Sequence, residues 1–264
     1  MRLGLGLGLG RAAGPPGVIW SPGDSTPLEW LDVGAAGATW TTTGKTVAAT
    51  APGDPVGALV PQGGPAGDWQ QATAGRRMLL GAIGSQVAMV GDHGDDAIGR
   101  VSNFASASAK TLGIRAQYNA TIGTSDVDVL VVVGGTTRGF RVHIGGPTSA
   151  SPGLSFAADI TSPTISRRVS TWLPTGTDPF SLVIVYRGGG NTTTGNYSVW
   201  VNGVALTIDT TGASMDVSST SYVLNAGPVT NPVDGRFAKM CVVAEDLSAN
   251  PGYVTGWLER LPTP

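Results

Sequence analysis

The clearest alternation of hydrophobic and polar positions lies between residues 179 and 206. Residues 180–187 place four large apolar side chains on one face of an extended strand and a mixed set on the other. Residues 197–201 alternate in the same way, with Tyr197 on one face and Trp200 on the other. Asn202-Gly203 follows and favours a type I′ turn, because both residues tolerate positive φ. Residues 204–208 form the return strand, so the pattern predicts an antiparallel meander.

Further strand patterns occur along most of the chain. A short helix is predicted near the end, with Asn250 as N-cap, Pro251 at its first position, and Val254, Trp257 or Leu258, and Leu261 on one face. Residues 148–174 are rich in Ser, Thr and Pro and alternate only at 169–173. We therefore expect one all-β domain over residues 18–264, an antiparallel two-sheet jelly-roll sandwich with a short C-terminal helix. Its remaining predicted strands lie within 80–90, 110–122, 126–133, 139–144, 222–224 and 235–243.

Residues 1–17 have a low-complexity pattern and are predicted to form an extended N-terminal arm. Leu3, Leu5, Leu7 and Leu9 alternate strictly with glycine, which gives an extended strand one leucine face and one bare backbone face. One interpretation is a floppy tail, which is common at a terminus. The strict alternation favours the other, an assembly element that packs on a neighbouring subunit of a homo-oligomer.

Composition narrows the classes of function. Charged residues make up 13% of the chain and the formal net charge is −2, which argues against nucleic-acid binding and against a polybasic membrane surface. Glycine accounts for 40 of the 264 residues, as expected for many turns. The single cysteine, Cys241, lies in an apolar run and is expected to be a buried, unreactive thiol.

Motifs at both ends of the chain resemble a known family. The segments YSVWVNGV, GRFAKMCVVAEDLS and PGYVTGWLERL are similar to the closing strands and helix of concanavalin A-like, laminin-G-type jelly rolls. The opening resembles the form of this domain found in bacteriophage and prophage virion proteins, although Met78 stands where proline is usual. The residues that carry the resemblance are Trp20, Pro22, Leu28, Glu29, Trp30, Leu31, Asp32, Val56, Leu59, Gln62, Gly63, Gln70, Gln71, Ala72, Thr73, Arg77, Asn202, Gly203, Gly235, Ala238, Val242, Leu247, Ser248 and Leu258.

The resemblance implies a structural component of a phage-like virion: a tail or head fibre, a spike or a decoration protein. Its partners would be other virion subunits through the arm, with a host surface glycan as a further partner. Met1 and the absence of an export signal favour a virion protein assembled in the bacterial cytoplasm. The alternative is a carbohydrate-binding adhesion module of a bacterial surface protein.

Candidate catalytic groups are sparse, so we do not expect an enzyme. Glycosidases of similar fold need two facing carboxylates. Asp126 and Asp128 share a strand face, but a solvated strand entrance explains them better. Ser25 would need a histidine base, and neither His93 nor His143 stands in a segment typical of one.

Two loops are candidates for binding. The loop at residues 188–196 offers Asn191 and Asn196 as amide hydrogen-bond partners, with Tyr197 beside it as a ring that could stack on a sugar. The alternative is a hairpin tip with no ligand. Residues 92–96 cluster oxygen ligands but lack the spacing of a calcium loop, so a solvated acidic loop is favoured and neither a metal nor a cofactor is predicted.

Deletion of residues 1–10 tests the assembly role of the arm. We expect a folded, soluble β domain that no longer joins its oligomer, because four leucines and a row of backbone hydrogen-bonding groups are lost. Replacing Leu5 and Leu7 with Ser should cause most of the same loss of assembly. Circular dichroism and light scattering measure both effects, and normal assembly of the truncated chain would show a passive tail.

Overall fold

The computed structural model describes residues 20–64, 67–91, 96–101, 109–119, 127–133, 139–145, 153–158, 164–174, 176–189, 194–215, 220–223 and 235–261. Within them, helix α1 (Pro251–Glu259) follows the last strand. The strands are β1 (Pro27–Asp32), β2 (Thr39–Trp40), β3 (Ala58–Leu59), β4 (Trp69–Gln70), β5 (Leu79–Ile83), β6 (Gln86–Val90), β7 (Ile98–Val101), β8 (Lys110–Tyr118), β9 (Val127–Val133), β10 (Phe140–Gly145), β11 (Gly153–Ala158), β12 (Thr164–Val169), β13 (Phe180–Tyr186), β14 (Tyr197–Val201), β15 (Val204–Leu206), β16 (Thr210–Met215), β17 (Thr220–Val223) and β18 (Gly235–Val243).

The strands form two antiparallel sheets packed face to face as a β sandwich. Sheet I has the order β15-β14-β13-β8-β18-β6-β5, and β1 pairs with β18 beside β6. Sheet II has the order β16-β12-β11-β10-β9-β17-β7-β4-β3-β2. Neighbours in a sheet are often far apart in sequence, so most of the fold depends on long-range pairing. This confirms the predicted all-β sandwich with a short C-terminal helix.

The central meander forms as the alternation predicts. Strands β13 and β14 pair from Leu182 opposite Val201 to Tyr186 opposite Tyr197. The turn has φ of 49° at Asn202 and 77° at the following glycine, the left-handed values that this sequence favours. The return strand β15 is shorter than predicted and ends at Leu206.

The core lies between the two sheets. Alternate residues of the central strands point inward, and each large apolar side chain buried there stabilises the fold by roughly 1.5–3 kcal/mol before ordering entropy is subtracted. The opposite faces of the same strands point away from the core. The inward set includes Leu112, Ile114, Leu182, Ile184, Met240 and Val242 of sheet I, and Phe140, Val142, Ile144, Leu154 and Phe156 of sheet II.

Helix α1 covers part of the outer face of sheet I. Its Val254, Trp257 and Leu258 pack with Cys241 of β18 in a second buried apolar cluster. The helix can approach closely because β8 has no side chain at Gly113. A Cβ built there would overlap Val254 Cγ1 and lie 3.2 Å from the sulfur of Cys241. The glycine therefore sets how closely the helix docks.

Side chains of sheet I hold the C-terminal end of the helix. Lys239 Nζ donates to the carbonyl oxygens of Trp257 at 3.4 Å and Arg260 at 2.8 Å, and it lies 3.2 Å from Asp32 Oδ2. Gln86 Nε2 donates to the Arg260 carbonyl at 2.9 Å. These donors satisfy carbonyl groups that a helix end leaves without intrahelical partners.

A buried ion pair joins the two sheets. Glu29 of β1 is fully buried and forms an ion pair with Arg100 of β7. The indole of Trp69 donates to Glu29 Oε1 at 3.3 Å, and Arg100 Nη1 donates to the Gly67 carbonyl at 2.6 Å. Burial raises the pKa of Glu29 to about 7, although Arg100 and Trp69 act in the opposite direction.

Two segments contain strands that their amino-acid composition does not predict. Strands β11 and β12 lie in the Ser/Thr/Pro-rich segment, where Leu154 pairs with Val169 and Phe156 with Arg167. Strands β1 to β4 lie in the segment before residue 80, which contains four of the seven tryptophans. Short strands of this kind form because neighbouring strands pair with them, so single-strand propensity is a poor guide.

Helix α1 begins where the sequence predicts, but its N-cap and its buried face differ in part from the prediction. It begins at Pro251 after Asn250, yet the Asn250 side chain makes no capping hydrogen bond. Val254, Trp257 and Leu258 are buried as predicted, whereas Leu261 lies beyond the helix and is exposed. The prediction that Leu261 joins the buried face is therefore wrong, because the helix ends at Glu259.

Substitution Gly113→Ala tests the helix docking. The added methyl overlaps Val254, and overpacking of this kind costs about 1–3 kcal/mol. We expect a lower free energy of unfolding in urea and faster labelling of Cys241, the only thiol, by a thiol reagent. Gly75→Ala is the matched control, since nothing lies within 4 Å of its added methyl. Equal stability and labelling in the two variants would contradict this account.

Substitution Glu29→Gln tests the buried ion pair through pH. Because the pKa of Glu29 is raised to about 7 from 4.5, its contribution to stability is fully present below pH 4.5 and is lost as pH rises through 7. Burial lowers the pKa of His143 to about 3, so the contribution of His143 to stability rises with pH instead of falling. This contribution is present in wild type and variant alike and cancels in their difference. The difference in unfolding free energy between wild type and variant should therefore change between pH 4.5 and 7.5. A constant difference across that range would disprove the raised pKa.

Candidate functional site

An open groove lies at the edge of sheet I, where β14 and β15 pair beside a short 3-10 turn. Its volume is about 290 Å³. Trp200 stands opposite Ala205 in the pairing, so the indole has only a small neighbour on the edge side. The groove is lined by Thr194, Gly195, Tyr197, Ser198, Val199, Trp200, Ala205, Leu206 and Ile208.

Trp200 is the half-buried aromatic residue of this groove. It projects from the outer face of sheet I, the face opposite to that of Val199 and Val201. One side of the indole packs against the apolar cluster that holds helix α1, which includes Val183. The cluster fixes the ring while part of it stays exposed, and a fixed, partly exposed ring is suited to stacking on a ligand.

A polar cluster joins Ser198, which lies on the same face of β14 as Trp200, to Arg187 and Asp246 of other segments. Arg187 Nη2 donates to Ser198 Oγ at 2.7 Å, and Arg187 Nη1 donates to the Gly195 carbonyl at 3.2 Å. The Nε of the same guanidinium lies 3.3 Å from Asp246 Oδ2, and both side chains remain about one-third exposed. Ser198 and Gly195 line the groove, so their hydrogen bonds connect it to the guanidinium of Arg187, which in turn pairs with Asp246.

Asp246 remains a carboxylate at neutral pH. Burial alone would raise the pKa of this group, but hydrogen bonds from Ser248 and the charge of Arg187 lower it below its ordinary value. The backbone N–H of Ser248 donates to Asp246 Oδ1 at 2.9 Å. Asp246 can thus accept hydrogen bonds from ligand hydroxyl groups.

The structure separates the residues that the sequence grouped at the 188–196 loop. Asn196 lies at the groove's 3-10 turn, where its carbonyl accepts from the backbone N–H of Arg187 at 2.8 Å. Tyr197 is 4% exposed, and its ring packs edge-on against Phe156 in the core. The stacking predicted for the Tyr197 ring does not fit this burial. Asn191 lies outside the described residues, as do Leu3, Leu5, Leu7 and Leu9 of the arm.

Sequence reasoning missed the groups that surround the groove. Trp200 and Ser198 were on the outward face of a correctly predicted strand, so alternation alone could have indicated them. Arg187 and Asp246 come from distant segments, and only the sheet brings them together.

The structure also shows the surroundings of the other residues that the sequence raised as candidate reactive groups. Ser25 Oγ donates to Glu245 Oε2 at 3.1 Å. Cys241 is fully buried, as predicted, and burial raises the pKa of its thiol to about 12.

Of residues 92–96, only Asp96 is described, and it is buried. Among the described residues, no group of three His, Cys, Asp or Glu side chains could hold a metal ion. No helix in that part of the chain is long and apolar enough to cross a membrane.

Comparison with known proteins shows the fold. No protein-family model matches the chain, and no curated protein matches its sequence. Domain 4 of AbnA, an extracellular GH43 arabinanase from Geobacillus stearothermophilus, was solved in complex with arabinotriose. It is similar over 89% of this chain and 99% of its own, with 12% identity and a TM-score of 0.50.

The binding domain of botulinum neurotoxin DC, solved in complex with SialylT, is similar over 90% of this chain. Its identity is 13% and its TM-score is 0.50. The present chain spans about half of that structure, 53% of its length. The likeness shows the fold alone, a β sandwich that this chain shares with these two domains.

Proposed function

We propose that this β sandwich is a carbohydrate-binding module whose ligand lies along the groove beside Trp200. The observation that carries the proposal is a fixed, partly exposed indole in a groove that Ser198 also lines, with Ser198 hydrogen-bonded to Arg187 of the Arg187–Asp246 pair. A sugar ring has an apolar face of C–H groups and a rim of hydroxyl groups. The indole suits the first, and the guanidinium, carboxylate and hydroxyl suit the second.

The shape of the groove favours an extended saccharide. It is open along the sheet edge and lies near the lower end of the size range of ligand pockets, about 300–1,000 Å³. An open groove lets a chain of sugars continue beyond the indole on either side. The fold shared with the arabinanase and neurotoxin binding domains supports this class of ligand. The shared fold therefore supports the carbohydrate-binding alternative better than a purely structural role.

We propose that the module binds its saccharide without cleaving it. Asp246 is engaged with Arg187 and Ser248 and remains charged, which suits hydrogen bonding better than proton donation to a leaving group. Incubation with any saccharide that it binds should release no reducing ends.

A role in a larger particle is a second proposal. The alternation of Leu3, Leu5, Leu7 and Leu9 with glycine favours assembly through the arm of a virion component, and these residues lie outside the described part of the chain. Glycan binding and assembly are compatible, since an assembled subunit could present the groove to a host surface.

Substitution Trp200→Ala tests the proposed function. An array of neutral plant and microbial oligosaccharides, arabinotriose included, identifies a ligand, and calorimetry measures its affinity. We expect at least a tenfold loss of affinity, about 1.4 kcal/mol, because the stacking surface is removed. Ser198→Ala should weaken binding less, by about threefold.

Trp40→Ala is the matched control, since Trp40 is also half-buried but lies on β2 in sheet II. It should leave the affinity unchanged. Circular dichroism checks that each variant is folded, and Trp200→Phe provides a milder change if Trp200→Ala is unstable. Wild-type affinity in folded Trp200 variants, or no binding to any saccharide on the array, would contradict the proposal.

A further inference from the structure

Strand β15 is an uncovered edge of sheet I. Within the described residues it stands last in the strand order and pairs only with β14. The other edge of this sheet, β5, is covered by residues 53–56, whose backbone bonds to Leu80 and pairs with Leu79. The β2 edge of sheet II is covered in the same way by residues 47–49. An edge strand without such cover presents its backbone donors and acceptors to another strand.

The turn before β15 determines which of its backbone groups face outward. Val201 and Val204 close the two-residue turn and stand opposite each other, so they exchange backbone hydrogen bonds. The next pair, Trp200 with Ala205, is therefore one without such bonds, and the N–H and C=O of Ala205 point away from β14. Ala205 is also exposed. An extended segment that arrives at this edge can bond to both backbone groups of Ala205.

The side chains of this edge alternate between large and small and carry no charge. Val204 is 64% exposed, the highest value among the exposed large apolar side chains of the described residues. Leu206 lies on the same face and packs against the main core, whereas Ala205 lies on the face of Trp200. Charged residues or proline commonly protect sheet edges, and residues 204–208 contain neither. The apolar face of the edge is therefore only partly covered.

The alternation at residues 3–9 matches the alternation of this edge. In a strand added to β15, leucine at every second position places the leucines beside Val204 and Leu206. The glycines then lie beside Ala205, on the face of Trp200, where they add no side chain to the groove. A shift by one residue would move every leucine to the face of Trp200 and leave Val204 exposed. The two patterns therefore select which face the leucines occupy.

We propose that residues 3–9 of a second copy of this chain add a strand to the free edge of β15. The added backbone bonds to Ala205, and the leucines cover Val204 and extend the apolar face that Leu206 begins. The inference deepens the assembly role proposed for the arm and rests on it. It does not depend on glycan binding in the groove.

The position of Trp20, where the described chain begins, favours a second copy over the chain's own arm. The carbonyl of Trp20 accepts from Arg260 Nη2 at 3.2 Å, just beyond helix α1, and the following turn, Pro22–Asp24, contacts β1 and β18. Helix α1 covers β8 and β13, which lie between β18 and β15. An arm would have to cross the helix to reach its own β15. Residues 10–19 span up to about 33 Å when extended, enough to reach a neighbouring molecule.

Disulfide trapping between two samples tests both the contact and its source. One sample carries Val204→Cys, and the other carries a single cysteine at an arm leucine. Paired positions of adjacent strands lie within the range of Cα separations that a disulfide spans. After mixing and mild oxidation, at least one arm variant should form a covalent heterodimer with Val204→Cys. The buried thiol of Cys241, whose pKa is raised to about 12, gives no background. The arm variants are Leu3→Cys, Leu5→Cys, Leu7→Cys and Leu9→Cys.

Two controls check the position and the face. Val47→Cys replaces Val204→Cys at a residue that is 58% exposed but lies beside β2 of sheet II, and it should give little heterodimer. Gly6→Cys replaces the arm leucine with a cysteine on the opposite face and should also give little. Equal trapping in these controls would overturn the proposed contact. So would a double variant, Leu5→Cys with Val204→Cys, that closes only within one chain while the mixed samples give no heterodimer.

Val204→Lys measures how much the edge contributes to assembly. Because Val204 is exposed, the melting temperature of the domain should change little. The leucines of a second copy would have to cover the lysine charge, so the dissociation constant of the oligomer should rise at least about tenfold in analytical ultracentrifugation. Val47→Lys, the matched control, should leave that constant unchanged.

The outcomes separate this inference from the assembly role of the arm. Loss of assembly on deletion of residues 1–10, with none in Val204→Lys, overturns β15 as the docking edge and leaves assembly through the arm. An oligomer that survives both changes, or a wild-type chain that stays monomeric at all concentrations, contradicts both. Loss in both variants, together with the heterodimer, supports strand addition at β15.

Discussion

The close contact between the backbone of Gly113 and helix α1 determines how closely the helix packs on the outer face of sheet I. Because β8 has no side chain at that point, Val254 and Leu258 reach the sheet and bury Cys241 between them. The same apolar cluster extends to one side of Trp200. The cluster that holds the helix therefore also supports one side of the indole, and the groove lies at the sheet edge where β14 and β15 pair.

Buried charges hold the elements around this contact. Lys239 links Asp32 of β1 to the carbonyl groups at the end of helix α1, and its ammonium also lies 5.2 Å from the centre of the Trp257 ring. Glu29 and Arg100 make a corresponding link between the two sheets. Removing one partner of such a pair leaves a buried charge uncompensated, so these links specify one arrangement of the sheets.

The sequence predicts the central meander and β18 well, because their alternation is regular and the Asn202 turn has one strongly favoured geometry. It predicts β11 and β12 poorly, since their pairing partners supply most of what stabilises them. The residues of the proposed binding groove and its surroundings differ in the same way in how far the sequence predicts them. The outward position of Trp200 follows from alternation, whereas the contact between Arg187 and Asp246 depends on packing between distant segments. Tyr197 shows the limit of loop-based reasoning, since a residue beside a loop can point into the core.

The central claim is that a saccharide stacks on Trp200, and the indole N–H signals in a ¹H–¹⁵N spectrum test it most directly. The chain has seven tryptophans, and a Trp200→Phe spectrum assigns the signal of interest by its absence. Titration with the oligosaccharide selected on the array should shift the Trp200 signal progressively, while the signal of the fully buried Trp69 stays in place. A saturating titration that leaves the Trp200 signal unmoved would contradict the account.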